Sequence, residues 1–281
     1  MTDPGVRALR WDAASQRLRA VTSVGGPFAM DAQGHVEGLG GVGLDTSRFA
    51  SFSDDPRSSQ YMVLGSNGNG AYVTEDGGRS WTRTPIGTDD LSWTPDIQRA
   101  PDDPDVIWMA GSHQGLWASQ DGGRSFNRIL VDEHVSRIAP IGGTQALINF
   151  DGVQRIDATV GSPELLADIW MPELLQRAED GSIFYANESH TLHRSTDGGA
   201  SFVELPFGSG QTPNDVAVDP NDPQRIWLAY DNTLFESSDG GQRFEDVFSP
   251  FPPVSLSYDA DGDVLWVGTE GGGVYRYRPQ L

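Results

Sequence analysis

Apolar residues along this chain gather into short dense runs. Seven of them read LRAVTS from Leu18, YMVLGS from Tyr61, VIWMAG from Val106, ALINF from Ala146, SIFYAN from Ser182, RIWLAY from Arg225 and VLWVGT from Val264. Each is rich in β-branched and aromatic residues and ends in small or polar ones, the pattern of a strand buried on both faces. One recurs about every 40 residues, a period that points to a repeat architecture. Helical periodicity is nearly absent. The stretch SPELLADIWMPELLQRAED (Ser162–Asp180) has helical character, but Pro172 breaks it and it reads equally well as loop and strand.

Turn signals fall between the runs. SDDPRSSQ (Ser53), APDDPDV (Ala100), VDPNDPQ (Val218) and YDADGDV (Tyr258) precede four of them. Asp-Pro pairs start turns, because Pro presets φ and Asx side chains bond nearby backbone. After four of the runs comes a second turn: TEDGGRSW (Thr74), SQDGGRSF (Ser119), STDGGASF (Ser195) and SSDGGQRF (Ser237). Their aspartates, Asp76, Asp121, Asp197 and Asp239, are spaced 45, 76 and 42 residues apart, so the middle gap holds about two periods.

Each unit therefore reads strand, acidic turn, buried strand, Gly-rich turn, strand, Asp-Gly-Gly turn, strand. This predicts an all-β chain, a seven-bladed β-propeller of four-stranded antiparallel blades. A single domain over 1–281 divides into repeats at approximately 6–45, 46–88, 89–130, 131–167, 168–208, 209–250 and 251–281. The last unit stops one strand short, and only Met1–Gly5 precedes the first strand, so closure is the least defined feature.

The Asp-Gly-Gly turns invite a catalytic reading, but four equivalent copies argue for a structural one. An Asp carboxylate can lock a tight turn by accepting backbone N–H groups, and Gly supplies φ > 0. Trp81, Phe126, Phe202 and Phe244 then begin the next strand and are expected to bury between blades. The pattern Ser119-x-Asp121-Gly122-Gly123-x-x-Phe126, with its three variants, resembles the Asp-box, or BNR repeat. That resemblance covers essentially the whole chain. It implies that Asp76, Asp121, Asp197 and Asp239 sit on the outer rim, between third and fourth strands, away from the axial face.

The resemblance also frames function. Asp-box propellers include sialidases, xyloglucan hydrolases, sortilin-type receptors and photosystem II assembly factors. The sialidase Phe/Tyr-Arg-Ile-Pro motif is missing: the nearest string, SRIAP (Ser136–Pro140), is interrupted and mid-chain. Xyloglucan hydrolases set two carboxylates across a cleft between two propellers, and 281 residues hold one. The photosystem factors match in size, but they carry a leader and a basic patch, and the sequence shows neither.

Composition narrows the chemistry. With 40 acidic and 19 basic residues the formal charge is −21, and every basic residue is Arg. Such a field disfavours nucleic acid and anionic membrane and suits neutral or cationic partners. No Cys means no disulfide or thiolate, and no Lys means no Schiff base or P-loop, so no cofactor is expected. No apolar run approaches the ~18 residues of a membrane span, so no membrane insertion is expected. The start MTDPGVRALRW lacks a signal-peptide pattern, which implies a cytoplasmic protein, or a secreted or periplasmic one if a leader has been removed.

Unrepeated residues at one axial end are the candidate binding site. The fourth-to-first connections and second-to-third loops bring Trp93, Asp96, His113, Glu133, His134, Arg137, Trp170, Glu173, Glu188, His190, Asp215, Asp231 and Glu270 towards one face. The set mixes aromatic platforms, carboxylates and histidines. The histidines come from different units, so spacing assigns no metal. This fits a binding or assembly propeller that engages a carbohydrate, small-molecule or protein ligand at one axial face. The alternative is a small hydrolase, lyase or cyclase with a carboxylate or His site at the channel mouth. Whether the chain is catalytic, and its oligomeric state, stay open.

Overall fold

The computed structural model describes residues 5–86, 93–131, 133–168, 174–186, 191–207, 212–247 and 249–279. Seven antiparallel sheets follow one another along the chain. Blade 1 holds β1 (Val6–Asp12), β2 (Arg17–Thr22), β3 (Gly26–Asp31) and β4 (Val36–Gly38). Blade 2 holds β5 (Phe49–Asp55), β6 (Ser58–Ser66), β7 (Ala71–Thr74) and β8 (Thr82–Arg83). Blade 3 holds β9 (Asp96–Arg99), β10 (Ile107–Ala110), β11 (Gly115–Ser119) and β12 (Asn127–Val131). Blade 4 holds β13 (Ile138–Gly142), β14 (Gln145–Asn149), β15 (Val153–Asp157) and β16 (Glu164–Ala167). Blade 5 holds β17 (Leu174–Arg177), β18 (Ile183–Ala186), β19 (Leu192–Ser195) and β20 (Val203–Leu205). Blade 6 holds β21 (Asp215–Asp219), β22 (Asp222–Tyr230), β23 (Thr233–Ser237) and β24 (Glu245–Val247). Blade 7 holds three strands among the described residues: β25 (Pro253–Asp259), β26 (Val264–Thr269) and β27 (Val274–Tyr277). The segment with helical character is strand at both ends, β16 and β17, and no helix occurs among the described residues.

The first strands of successive blades pack against one another, and β25 packs against β1. That arrangement closes the ring and makes a seven-bladed β-propeller. The seven apolar runs of the sequence form the second strands, and their residues face both ways. Each sheet is therefore buried on two sides, and the core splits into seven clusters, one per blade interface. Val6, Leu9, Trp11 and Leu18 of blade 1 join Val264 and Trp266 of blade 7 in the cluster at the seam. Trp108 and Trp227 are fully buried in other interfaces. Burial of a large apolar side chain stabilises by about 1.5–3 kcal/mol, and no interface lacks such residues.

The Asp-Gly-Gly turns join third to fourth strands and share one geometry. In the first, Ser80 N and Thr74 Oγ1 donate to Asp76 Oδ1, both at 2.8 Å, and Ser80 Oγ donates to Oδ2 at 2.6 Å. Ser125 and Ser201 repeat this with Asp121 and Asp197, and Arg243 N donates to Asp239. Hydrogen bonds from Ser80 and Thr74 hold Asp76 down at about pKa 2; those from Ser201 and Ser195 do the same for Asp197. The second glycine docks the turn on the preceding blade. Gly123 has φ +96°, and a Cβ there would lie 2.8 Å from Val63 Cγ2. Trp81 is buried against blade 1, its Nε1 donating to Leu39 O at 2.8 Å.

Candidate functional site

Antiparallel order puts the first-to-second and third-to-fourth turns at one end of every blade. The second-to-third and fourth-to-first connections lie at the other end, the mouth. A cavity of about 800 Å³ runs along the axis between the first strands. Trp93, Asp96, Arg137 and Asp215, all foreseen from sequence, line it. Trp93 is 42% exposed and Phe251 is 47% exposed, both on fourth-to-first connections. The Phe251 ring lies against Gly272, where a Cβ would come within 2.3 Å of it.

Four further charged residues line the cavity: Arg7, Arg10, Arg177 and Glu179. Residue numbering slips by one between Val6 and Ala8 in the pairing of β1 with β2, and this bulge carries Arg7. Arg10 follows on the same strand, Arg177 ends β17, and Glu179 comes just after it. Four arginines thus share a channel inside a chain of net charge −21.

The channel carboxylates are engaged by neighbouring blades. Each first strand leaves backbone N–H groups unpaired on its axial edge, and such groups need acceptors. Asp96 Oδ2 accepts from Ile138 N of the next blade at 2.9 Å, while Gln98 Nε2 donates to Oδ1 at 2.8 Å. Asp215 Oδ2 accepts from Leu256 N at 2.7 Å and Oδ1 from Val216 N at 2.8 Å. Glu179 reaches two blades, accepting from Val218 N at 3.0 Å and Tyr258 N at 3.4 Å. Ser257 Oγ does the same across the seam, accepting from Trp11 N at 3.0 Å. Burial raises the pKa of Asp96 and Glu179 and pushes Asp215 up to about 7, against the hydrogen bonds that favour their ionised forms.

The remaining foreseen residues divide. His113 and His134 meet at the mouth with ring centroids 4.4 Å apart, although their blades are different. Desolvation, then His113, lowers the pKa of His134. Glu133 precedes His134 and is half-buried. Among the described residues no three His, Asp or Glu side chains converge as a metal set. Asp231 occupies the tight β22–β23 turn at φ +41°, and Glu270 the β26–β27 turn, where its N donates to Pro252 O at 2.9 Å. Neither lines the channel. Trp170, Glu173, Glu188 and His190 lie outside the described residues.

No protein-family profile matches the chain. A xyloglucanase of Hypocrea jecorina (strain QM6a) is 36% identical over 67 residues, which is 24% of this chain and 8% of that protein. Among solved structures, the GH74 xyloglucanase of Xanthomonas campestris superposes with a TM-score of 0.77 at 17% identity, covering 99% of this chain and 52% of that one. YCF48 bound to D1 peptide gives 0.75 at 17% identity, covering 99% and 95%. The Cps50 (Swd1) β-propeller domain of Myceliophteria thermophila gives 0.76 at 12% identity, covering 100% and 99%. What these share with the chain is the fold. This chain spans about half of the bacterial xyloglucanase.

Sequence reasoning missed Arg7, Arg10, Arg177 and Glu179. The signal was available for two of them: VRALRWD carries two arginines in a strand that otherwise packs into a core. The arginines are separated in sequence and meet in one lining, beside Asp96, Glu179 and Asp215, only when the ring closes. Other arginines are engaged in pairs, such as Arg19 with Asp54 at 2.6 Å and Arg194 with Asp180 at 2.5 Å.

Proposed function

We propose that the protein is a binding propeller that takes its ligand at the channel mouth, on the face bearing Trp93 and Phe251. The observation that carries this is the axial cavity of about 800 Å³ with an exposed tryptophan on its lining. A concave site with a few placed polar groups and an aromatic platform is the usual form of a ligand pocket. Solved neighbours include a xyloglucanase and a peptide complex, so a carbohydrate and a peptide are the two ligand classes to try first.

The catalytic alternative finds its best acid in Asp215, raised to about 7. Both of its oxygens are held by backbone N–H groups, as are those of Glu179. These carboxylates serve as staples between blades, which favours binding over hydrolysis.

The test is an array of xyloglucan oligosaccharides and synthetic peptides, probed with the wild type, Trp93→Ala and Asp76→Ala. A ligand should be lost or weakened about tenfold by Trp93→Ala and retained by Asp76→Ala, with no products released from xyloglucan. Ligands that survive Trp93→Ala and vanish with Asp76→Ala would place the site on the rim.

A further inference from the structure

The arginines of the channel differ from the rest in what they touch. Among the described residues, the guanidinium groups of Arg10 and Arg177 make no hydrogen bond and no ion pair, and both line the axial cavity. Arg10 faces the open channel and Arg177 is half-buried. Their charges are felt across the channel: desolvation lowers the pKa of Arg177 most, Arg10 lowers it further, and Asp180 and Asp102 oppose both. Two cations lining one channel without a hydrogen-bonded partner, one of them half-buried, favour an anion between them.

The nearby acids act on them through space but form no hydrogen bond or ion pair with either guanidinium among the described residues. Asp54 and Glu179 feel the charge of Arg10, and Asp102 and Asp180 that of Arg177. Each is engaged elsewhere. Asp54 accepts from Arg19, Asp102 from Gly143 N at 2.7 Å, and Asp180 from Arg194. Glu179 accepts from the two strands beyond it. A guanidinium offers five N–H donors in a planar fork that matches a carboxylate or phosphate edge. Arg10 and Arg177 keep theirs free, inside a channel that the mouth opens to solvent.

We propose that Arg10 and Arg177 form an anion site within the axial channel, which holds a carboxylate- or phosphate-bearing group of a small ligand. This rests on the channel being the binding site and adds the ligand's charge. It also reverses the expectation from net charge: the surface of a −21 chain repels anions at long range, while the channel offers them local donors. Such a site selects anions small enough to lose most of their water.

Isothermal titration with pyrophosphate and, separately, with citrate at low ionic strength tests it. The wild type should bind at least one of them, and that anion should raise Tm where sodium chloride of equal ionic strength does not. Tight pyrophosphate with weak citrate assigns a phosphate ligand; the reverse assigns a carboxylate. Arg10→Gln and Arg177→Gln should each weaken binding about tenfold or more, and the double substitution should abolish it. Arg124→Gln on the outer rim should leave it unchanged. Absence of binding and of any Tm rise in the wild type overturns the proposal without needing the variants, as does binding that survives the double substitution. If neither anion binds but an array ligand depends on Trp93, the channel reading stands and the anion site falls. If an anion binds through Arg10 and Arg177 while array ligands ignore Trp93, the anion site stands and the Trp93 platform at the mouth falls.

Discussion

Trp11 of the first blade stacks on Trp266 of the last, with ring centroids 5.2 Å apart and planes tilted by 17°. Among the described residues no sheet spans this seam: β1–β4 form one sheet and β25–β27 another. There the blades meet by side-chain packing, helped by the Trp11 N to Ser257 Oγ hydrogen bond and by Arg276 donating to Ala32 O at 3.1 Å. Trp266→Ala should therefore destabilise by about 3–5 kcal/mol in urea unfolding. Amide exchange should rise first in blades 1 and 7. Val203→Ala, on an exposed outer strand, should change stability by less than about 0.5 kcal/mol.

The blades were legible because their signals are local and repeated. VIWMAG and RIWLAY are buried runs of a few residues, and each Asp-Gly-Gly turn is complete within eight. The channel was only half legible. Asp96 and Asp215 begin strands and could be placed at the mouth, but their partners Ile138 and Leu256 lie 42 and 41 residues away, on the next blade. Glu179 was hidden in a segment with helical character that folds as strand at both ends. Arg10 of blade 1 and Arg177 of blade 5 come to line one channel only when the ring closes, which no window of sequence shows.

The rim turns are expected to act on stability alone. Asp76 and Asp197 are held at about pKa 2, below the unfolded value of about 3.9. Their stabilisation is fully present above that unfolded value and is lost as pH falls through about 2. Asp76→Ala should lower Tm by a few degrees at pH 7. The gap to the wild type should narrow below pH 4 and shrink most as pH falls through about 2 in a thermal-melt series.

Gly123 tests the docking of a turn on its neighbour. At φ +96° a Cβ is strained and meets Val63 at 2.8 Å, so Gly123→Ala should cost about 2–4 kcal/mol in urea unfolding. Gly143 has φ +52° and open space around its Cα. Gly143→Ala should cost about 1–2 kcal/mol, the backbone effect alone. Equal costs at both positions would remove the packing role assigned to Gly123.

Asp215 titrates the opposite way from the rim aspartates. Its folded pKa of about 7 lies above the unfolded value, so the folded state binds more protons between about pH 4 and 7. Asp215 therefore makes stability fall as pH rises through that window. Asp215→Asn should remove this part of the slope in a plot of unfolding free energy against pH, whatever it does to absolute stability. An unchanged slope would show that Asp215 titrates in the ordinary carboxylate range.

The location of the site is tested most directly by the arginine Nε–Hε spectrum of isotope-labelled protein during a pyrophosphate titration. Arg10 and Arg177 should shift together and saturate, while Arg79 and Arg124 of the rim turns stay in place. Shifts confined to the rim arginines, with Arg10 and Arg177 unmoved, would contradict that location.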